Sequence, residues 1–96
     1  MYTNDDVYAF HDINPAAPTH LLIIPNKHLT NINDAGLEDT ALLGKLLLKA
    51  NEIAVSLGLA QDGSRYVINT GKDGGQTVFH LHLHILGGRA LGWPPG

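Results

Sequence analysis

The sequence predicts an α+β domain in which one long helix packs against an antiparallel β-sheet. Two observations lead to this fold class: a helical apolar pattern over residues 34–57, and strand-like apolar runs on both sides of it. The elements follow the order strand, strand, helix, strand, strand. A chain of 96 residues has the length of one small domain, so we expect residues 1–96 to fold as a single unit.

Two strands are predicted before the helix. The first covers residues 7–13 and ends at Asn14 and Pro15, which favour a turn. The second, residues 20–24, is a continuous apolar run that ends at Pro25. Because a run without polar alternation suits a strand that is covered on both faces, we expect this strand to be central in the sheet.

The predicted helix begins with Asn33 or Asp34 as its cap and ends before Gly58, a residue type favoured just past helix ends. Glu38 and Asp39 are expected in its first turn, where acidic side chains suit the positive end of the helix dipole. The predicted core-facing residues are Leu42, Leu43, Leu46, Leu47, Ala50, Ile53, Ala54 and Leu57.

A second, smaller apolar strip is predicted on the same helix, formed by Leu48 and Val55 with Gly44 beside them. This strip indicates either a contact with a partner subunit or apolar residues scattered on the surface. A partner subunit would help, because a domain of this size buries little surface by itself. We therefore expect a homodimer.

The composition excludes several classes of protein. A net charge of −3 with only six Lys and Arg residues provides no basic surface for a nucleic acid backbone. No apolar run approaches the roughly 18 residues that a membrane span requires. The absence of cysteine excludes disulfides and cysteine-based zinc sites, and it fits the reducing cytoplasm in which we expect the protein to be located.

Three histidines alternate with leucines in the last predicted strand. Strands at residues 65–69 and 78–86 should form an antiparallel hairpin around a glycine-rich loop at 71–75. Because side chains alternate across a strand, His80, His82 and His84 are expected on one face, with Leu81, Leu83 and Ile85 in the core.

A structural role and a metal site are the alternatives to a catalytic role for these histidines. Structure alone does not favour three imidazoles side by side, because their positive charges repel. A single zinc ion suits two of them, but the outer two are roughly 13 Å apart, so a further ligand such as His20 or His28 would be needed. We predict no metal.

Phosphoryl transfer would use all three histidines. A neutral imidazole attacks phosphorus and leaves again readily, and neighbouring imidazoles can move protons near neutral pH. The central His82 suits the nucleophile. The loop before it offers backbone N–H groups, the Gln76 amide and the Thr77 hydroxyl to phosphate oxygens, although hairpin turns also require glycines.

The run G-G-Q-T-V-F-H-L-H-L-H-I-L-G-G-R, followed by W-P-P-G, resembles the signature of the histidine triad family, specifically its Hint branch. The upstream run A-F-H-D-I-N-P-A-A-P-T-H-L-L-I-I-P-N-K-H is similar to the nucleoside-binding segment of the same branch. The resemblance implies an antiparallel sheet with one long helix, and two protomers that form a continuous ten-stranded sheet. It also implies hydrolysis of purine nucleoside 5′-phosphoramidates, including adenylate amides and acyl adenylates, through a nucleotidyl-histidine intermediate, with no cofactor.

The resemblance also assigns residues. His82 is the implied nucleophile, and the implied supporting chain of hydrogen-bonded histidines is His20, His28 and His80. The implied phosphate site contains Gly75, Gln76, Thr77, Leu83 and His84. The implied nucleoside contacts are Asp12 on the ribose hydroxyls, Ile13 and Leu22 on the base, and Asn69 on the phosphate or ribose. Trp93 belongs to a tail that is implied to reach an active site across the dimer.

Several alternatives accompany this reading. By sequence alone Asp12 is also typical of a turn before Pro15, in which its side chain accepts a backbone hydrogen bond. Hint proteins usually begin with a segment of the type F-x-K-I-I-x-x-E-I-P, which this sequence lacks, so part of the base pocket is expected to be absent. The alternative functions are a dinucleoside polyphosphate hydrolase, a nucleotidyl transferase, and a nucleotide- or zinc-binding regulator with little turnover.

Overall fold

Five strands form one antiparallel sheet, and one α-helix packs on it, in the computed structural model, which describes residues 2–3 and 6–96. The strands are β1 (Tyr2–Thr3), β2 (Val7–His11), β3 (Thr19–Pro25), β4 (Ser64–Val67) and β5 (Leu83–Gly87), and the helix is α1 (Thr40–Ser56). Their order across the sheet is β1-β2-β3-β5-β4. The predicted α+β class is confirmed, and the predicted central position of the second apolar run, now β3, is confirmed as well.

The two faces of this sheet have different roles. Leu21 and Ile23 of β3 and Ile85 of β5 are buried against the helix, whose own buried residues are Leu46, Ala50 and Ala54. The opposite face carries a row formed by Phe10, Leu22 and His84, which are paired across β2, β3 and β5. Because side chains alternate along each strand, the sheet separates the core from a face that carries polar groups.

The buried stripe of α1 is narrower than predicted. Leu47 and Leu57 at the edges of the predicted sector are 47% and 45% exposed, because a helix that packs on a sheet covers only the stripe that contacts the strands. Leu48 and Val55 of the second strip are 72% and 51% exposed. The helix therefore presents an apolar outer surface that nothing in the described chain covers.

The α-helix begins later than predicted. Residues Ile32–Asp34 and Leu37–Asp39 form two 3₁₀ turns, and the Asn31 side chain caps the first of them by accepting the Asn33 N–H at 2.9 Å. Asp39 is buried, accepts the Gly36 N–H at 3.0 Å and pairs with the Lys27 ammonium at 2.5 Å. The predicted start was wrong because these local side-chain bonds hold tighter turns before the helix.

The helix ends as predicted. Gly58 has a φ of +80°, and its N–H bonds the Val55 carbonyl at 3.0 Å while the Leu59 N–H bonds the Ala54 carbonyl at 3.0 Å. This pair of bonds satisfies the last carbonyls of the helix and requires a left-handed residue, which glycine adopts without strain. None of the helices in the described residues is long and apolar enough to span a membrane.

The last predicted strand is shorter than expected. β4 and β5 do pair as an antiparallel hairpin, but β5 begins only at Leu83, while residues 78–80 form a bend and residues 81–82 lie outside the sheet. Burial still alternates there, with Leu81 1% exposed between half-buried His80 and His82. The predicted alternation of buried and half-buried side chains therefore begins before β5, where the chain has no partner strand.

Candidate active site

Five histidines lie around β3 and the stretch that leads into β5, and they form two hydrogen-bonded groups. His84 stands on β5, while His82 and His80 come from the stretch before it. The rings of His82 and His84 are 4.8 Å apart, and those of His84 and His20 are 5.2 Å apart. His80 instead faces His28, at 4.9 Å between ring centres. The prediction that one strand carries all three histidines was wrong, because β5 begins after His80 and His82, whereas the predicted alternation with buried Leu81, Leu83 and Ile85 is confirmed.

The proton of His82 is placed by a backbone bond. Its Nδ1 lies 2.7 Å from the His80 carbonyl oxygen, which can only accept, so Nδ1 carries the hydrogen and donates. A neutral imidazole carries a single ring hydrogen. Nε2 of His82 therefore keeps its lone pair, which is the form that a nucleophilic imidazole needs.

A second hydrogen-bonded chain ends beside His82. The Ala16 N–H donates to His20 Nδ1 at 3.0 Å, so in neutral His20 the ring hydrogen lies on Nε2. That Nε2 is 2.9 Å from His84 Nδ1 and donates to it, which leaves the hydrogen of His84 on Nε2. His84 Nε2 is buried and has no hydrogen-bond partner in the described residues.

His84 is held in its neutral form. Burial lowers its pKa below the ordinary value of 6.5, and repulsion from any positive charge on His82 and His20 lowers it further, whereas the Asp12 carboxylate opposes the shift. A neutral His84 ring adds no positive charge beside His82. The buried N–H of His84 is available as a donor to an incoming acceptor.

Asp12 forms the turn that the sequence offered as an alternative, and it also lies close to His20, a contact that the sequence did not predict. Its Oδ1 accepts the Asn14 N–H at 2.8 Å, which confirms the turn before Pro15. Its Oδ2 lies 3.5 Å from His20 Nε2, at the start of the chain that leads to His84. The carboxylate keeps unused acceptor capacity, because each oxygen can accept more than one bond.

The pair formed by His28 and His80 anchors the stretch before β5. His80 Nε2 donates to the Pro25 carbonyl at 3.2 Å, so its Nδ1 is an acceptor and takes the His28 Nδ1 hydrogen at 3.1 Å. The predicted chain of His20, His28 and His80 is thus divided, since His20 bonds His84. This pair holds the His80 carbonyl, which in turn fixes the hydrogen of His82.

The glycine-rich loop meets the prediction only in part. Gly75 and Thr77 are exposed and near the start of the 78–82 stretch, as expected for phosphate contacts. The side chain of Gln76 is buried, and its amide already makes four hydrogen bonds, so the amide is not free for phosphate. The Leu83 side chain is 1% exposed in the core, so only its backbone could face a ligand. Half-buried Asn69 follows β4 by two residues.

An apolar cleft of about 390 Å³ opens beside His82. Its lining residues are Phe10, Leu22, Ile24, Val78, His80 and His82. Leu22 was predicted, whereas Phe10 and Ile24 were not: alternation along β3 places Ile24 on the face of Leu22, and only the strand register brings Phe10 there. Ile13 does not line the cleft: β2 ends at His11, and Ile13 lies beyond it with 91% of its surface exposed.

A larger cleft of about 510 Å³ lies elsewhere, near the end of α1, and contains Leu57, Asp62 and Arg89 but no histidine. Its size exceeds that of the cleft beside His82. We regard the smaller cleft as the candidate site, because it is lined by His82, whose Nε2 keeps its lone pair, and the His84 ring with its unpartnered N–H lies 4.8 Å from the His82 ring.

Asp12, His20 and His84 form a group whose ligand atoms lie within 4.8 Å of one another, so their fit to a metal has to be tested. A neutral histidine that binds a metal through Nε2 carries its hydrogen on Nδ1. In His20, Nδ1 already accepts the Ala16 N–H, which leaves no room for a hydrogen there. The donor set therefore fits a hydrogen-bonded chain better than a metal site.

The C-terminal tail is fixed at one point. Arg65 of β4 donates to the Gly92 carbonyl at 2.7 Å, and its guanidinium lies 5.9 Å from the centre of the Trp93 ring. Trp93 itself is 82% exposed. The Arg65 contact could not be predicted from the sequence, because Arg65 and Gly92 lie 27 residues apart.

Comparisons with known proteins agree with this geometry. The HIT domain family matches residues 1–91. An uncharacterized HIT-like protein of Synechocystis sp. is 58% identical over 96 residues, which cover all of this chain and 83% of that protein. The purine nucleoside phosphoramidase of Escherichia coli is 49% identical over 92 residues, which cover 96% of this chain and 77% of the enzyme.

Among solved structures, a HIT family hydrolase from Legionella pneumophila superposes with a TM-score of 0.98 at 49% identity. The match covers all of this chain and 86% of the Legionella chain. Both the family match and these relatives extend through the strands and the histidine stretch described above. The chain therefore belongs to the HIT domain family, the histidine triad family whose motif it carries.

Proposed function

We propose that this chain hydrolyses the P–N bond of purine nucleoside 5′-phosphoramidates, including adenylate amides, and also acts on acyl adenylates, through a nucleotide covalently bound to His82. The observation that carries the proposal is the placement of hydrogens, which leaves a lone pair on His82 Nε2 beside an unpartnered N–H on His84. The Escherichia coli relative that is named a purine nucleoside phosphoramidase supports the choice of substrate.

The proposed reaction has two displacements. His82 Nε2 attacks phosphorus, the P–N bond breaks, and the amine leaves with its electron pair and takes a proton from water. Water then attacks phosphorus and gives up a proton to the hydroxide left by the first step, the bond to Nε2 breaks, its electron pair returns to the ring, and a nucleoside monophosphate leaves. The His84 N–H donates to a phosphoryl oxygen in both steps, where negative charge increases.

The nucleoside would be held by the neighbouring groups. The apolar cleft with Phe10, Leu22 and Ile24 suits a flat purine base, and the spare acceptor capacity of half-buried Asp12 suits ribose hydroxyls. Backbone N–H groups near Gly75 and the Thr77 hydroxyl suit the phosphate. Thr77 stands where the family commonly has serine, and the hydroxyl is retained.

The test compares wild-type protein with His82→Gly on a fluorogenic adenosine phosphoramidate. We expect turnover to fall by several orders of magnitude while nucleotide binding remains, because the substitution removes the nucleophile and not the cleft. His11→Gly, a change in an exposed histidine at the end of β2, is the matched control. Mass spectrometry of wild-type protein quenched with substrate should show a nucleotidyl adduct that the His82 variant lacks.

The same assay separates the alternatives. Faster turnover of a dinucleoside polyphosphate than of the phosphoramidate would favour the polyphosphate hydrolase, and transfer to a second phosphate would favour the transferase. Binding without turnover would indicate a regulator. EDTA is expected to leave the rate unchanged, since the hydrogen-bonded arrangement of His20 and His84 does not suit a metal. A rate that depends on added zinc would contradict this.

We further propose a homodimer in which two five-stranded sheets join at β4 to form ten strands. Supporting this, β4 is at one edge of the described sheet, and the exposed strip of Leu48 and Val55 lies on the helix that Tyr66 of β4 contacts through Asn51 at 3.3 Å. Sedimentation should show a dimer at micromolar concentration. Leu48→Asp should weaken it, whereas Leu37→Asp, at a residue that is 92% exposed, should not.

The tail is expected to act across this dimer. Removing residues 91–96 should change the preference for bulky or small amine leaving groups more than it changes nucleotide affinity. A monomeric wild-type protein would remove the basis for a tail acting on the partner. An unchanged ratio of rates for the two kinds of amine after truncation would dismiss its role in selectivity.

A further inference from the structure

One residue of the glycine-rich loop is placed differently from its neighbours. Gln76 is 7% exposed, while residues 72–75 before it and residues 77–79 after it are exposed. A polar side chain is rarely buried unless its hydrogen bonds are satisfied, since an unmade bond in the interior costs free energy. The burial of Gln76 therefore points to a specific set of partners.

Those partners use the whole capacity of the side chain. Nε2 of Gln76 donates to the Thr30 carbonyl at 2.6 Å and to the Val78 carbonyl at 3.1 Å. Oε1 accepts the Gly71 N–H at 2.9 Å and the Asn31 side-chain N–H at 3.2 Å. A carboxamide has two donor hydrogens and two acceptor lone pairs, so all four are used within the protein.

Two of these groups close the loop on itself. The Gln76 side chain accepts the Gly71 N–H, and the Gln76 backbone N–H donates to the Gly71 carbonyl at 3.0 Å. Within this ring Gly75 has a φ of +84°, and a Cβ on Gly74 would lie 2.7 Å from the Thr70 carbonyl oxygen. The loop therefore has one compact shape, and Gln76 closes it from the inner side.

The other partners join the loop to the stretch that carries the nucleophile. Thr30 and Asn31 lie in the segment after β3, and Val78 lies four residues before His82. A second bond, from the Leu81 N–H to the Leu29 carbonyl at 2.6 Å, joins the same two segments. Gln76 thus connects the phosphate side of the site with the His82 side.

We propose that Gln76 is a positioning residue, whose buried carboxamide holds the loop so that Gly75 and Thr77 face the phosphoryl group, and which does not itself touch the substrate. The inference rests on the proposed function for the identity of the substrate. This role differs from direct binding of phosphate by the Gln76 amide. Direct binding would require at least one of the four observed hydrogen bonds to break.

The first test uses NMR on the wild-type protein with adenosine 5′-monophosphate as the probe. The backbone amides of Gly75 and Thr77 should shift on binding, while the Gln76 side-chain amide signals stay in place and exchange slowly with solvent. Exposed Gln61 provides the control for fast exchange. Gln76 side-chain signals that move as far as those of Gly75 and Thr77, or that exchange as fast as those of Gln61, would overturn the inference alone. If the probe moves no signal, the proposed function fails and the inference fails with it.

The second test separates positioning from general destabilisation. Gln76→Met keeps the length of the side chain and removes its four bonds, and Gln61→Met is the matched surface control. We expect kcat/KM for the phosphoramidate to fall about a hundredfold, because a loop displaced by about 1 Å no longer meets the phosphoryl group. Affinity for adenosine, which has no phosphate, should fall far less, since Phe10, Leu22 and Ile24 of its cleft lie on the sheet, and of the cleft residues only Val78 is bonded to Gln76.

A Gln76→Met protein that folds and keeps its kcat/KM would overturn the proposal. Equal losses for the phosphoramidate and for adenosine would also overturn it, since they indicate a smaller folded fraction and no specific effect on the phosphate site. Gln76→Asn retains the chemistry at a shorter reach and should lie between wild type and Gln76→Met. If the Met variant does not fold, this variant and the wild-type NMR experiment decide the question.

Discussion

The site contains two hydrogen-bonded pairs of histidines. They differ in whether the last ring N–H of the pair has an acceptor within the protein. In the pair of His28 and His80, the N–H of His80 Nε2 donates to the Pro25 carbonyl, so this pair holds the backbone in place. In the pair of His20 and His84, the last hydrogen lies on a buried Nε2 with no partner in the described residues. The first pair is complete without a ligand, whereas the second leaves a donor that a ligand could use.

This difference shows how backbone groups determine the chemistry of identical side chains. The Ala16 N–H directs the hydrogen of His20 towards His84, and the His80 carbonyl directs the hydrogen of His82 away from its Nε2. The N–H donor of His84 and the Nε2 lone pair of His82 therefore lie on neighbouring rings. The comparison predicts that changes in the buried pair affect chemistry, while changes in the exposed pair affect alignment only.

The largest effect is expected for His84→Phe, which keeps an aromatic ring and removes the donor. Turnover of the phosphoramidate should fall about 10²- to 10³-fold, the usual effect of losing one preorganised donor to a developing charge. Adenosine affinity should change little, because the apolar cleft does not include His84. Turnover within threefold of wild type would mean that the unpartnered N–H has no catalytic role.

The next effect concerns Asp12, which faces both a turn and His20. Asp12→Ala should weaken ribonucleotides by roughly 1.5 to 3 kcal/mol and 2′-deoxyribonucleotides by much less, since a charged acceptor gains its energy only where the hydroxyl exists. Binding measured by calorimetry for both sugars checks this. An equal loss of affinity for the two kinds of nucleotide would indicate that Asp12 acts through His20 and does not contact the ribose.

The sequence predicts the strands that alternate or run apolar, because burial follows from side-chain direction: Leu81, Leu83 and Ile85 are buried as expected. It also predicts that histidines cluster. The sequence does not predict which groups pair, since His80 bonds the His28 ring and the Pro25 carbonyl, which lie 52 and 55 residues away along the chain. The role of Gln76 was equally hidden, because its partners Thr30 and Asn31 lie about 45 residues away.

A smaller effect is expected in the exposed pair. His28→Leu removes the donor to His80 Nδ1, a neutral hydrogen bond worth about 0.5–1.5 kcal/mol, so kcat/KM should fall no more than about tenfold. His28→Asn offers a donor at the same reach and should restore most of the rate. A loss of a hundredfold or more in His28→Leu would show that the two pairs are not divided as described.

The smallest effect, and the most direct measure of the difference between the pairs, is the titration of His84. Its pKa is lowered by burial and by the neighbouring His82 and His20, so ring NMR should find its midpoint below 6.5. As the pH falls below 6.5, the unfolded chain takes up a proton at this residue while the folded chain does not, so the free energy of unfolding should decrease. His84→Phe removes this contribution, and the stability of that variant should therefore depend less on pH between 6.5 and the folded midpoint. A midpoint at or above 6.5 would mean that His84 accepts a charge as readily as a solvated imidazole, which contradicts a neutral donor beside His82.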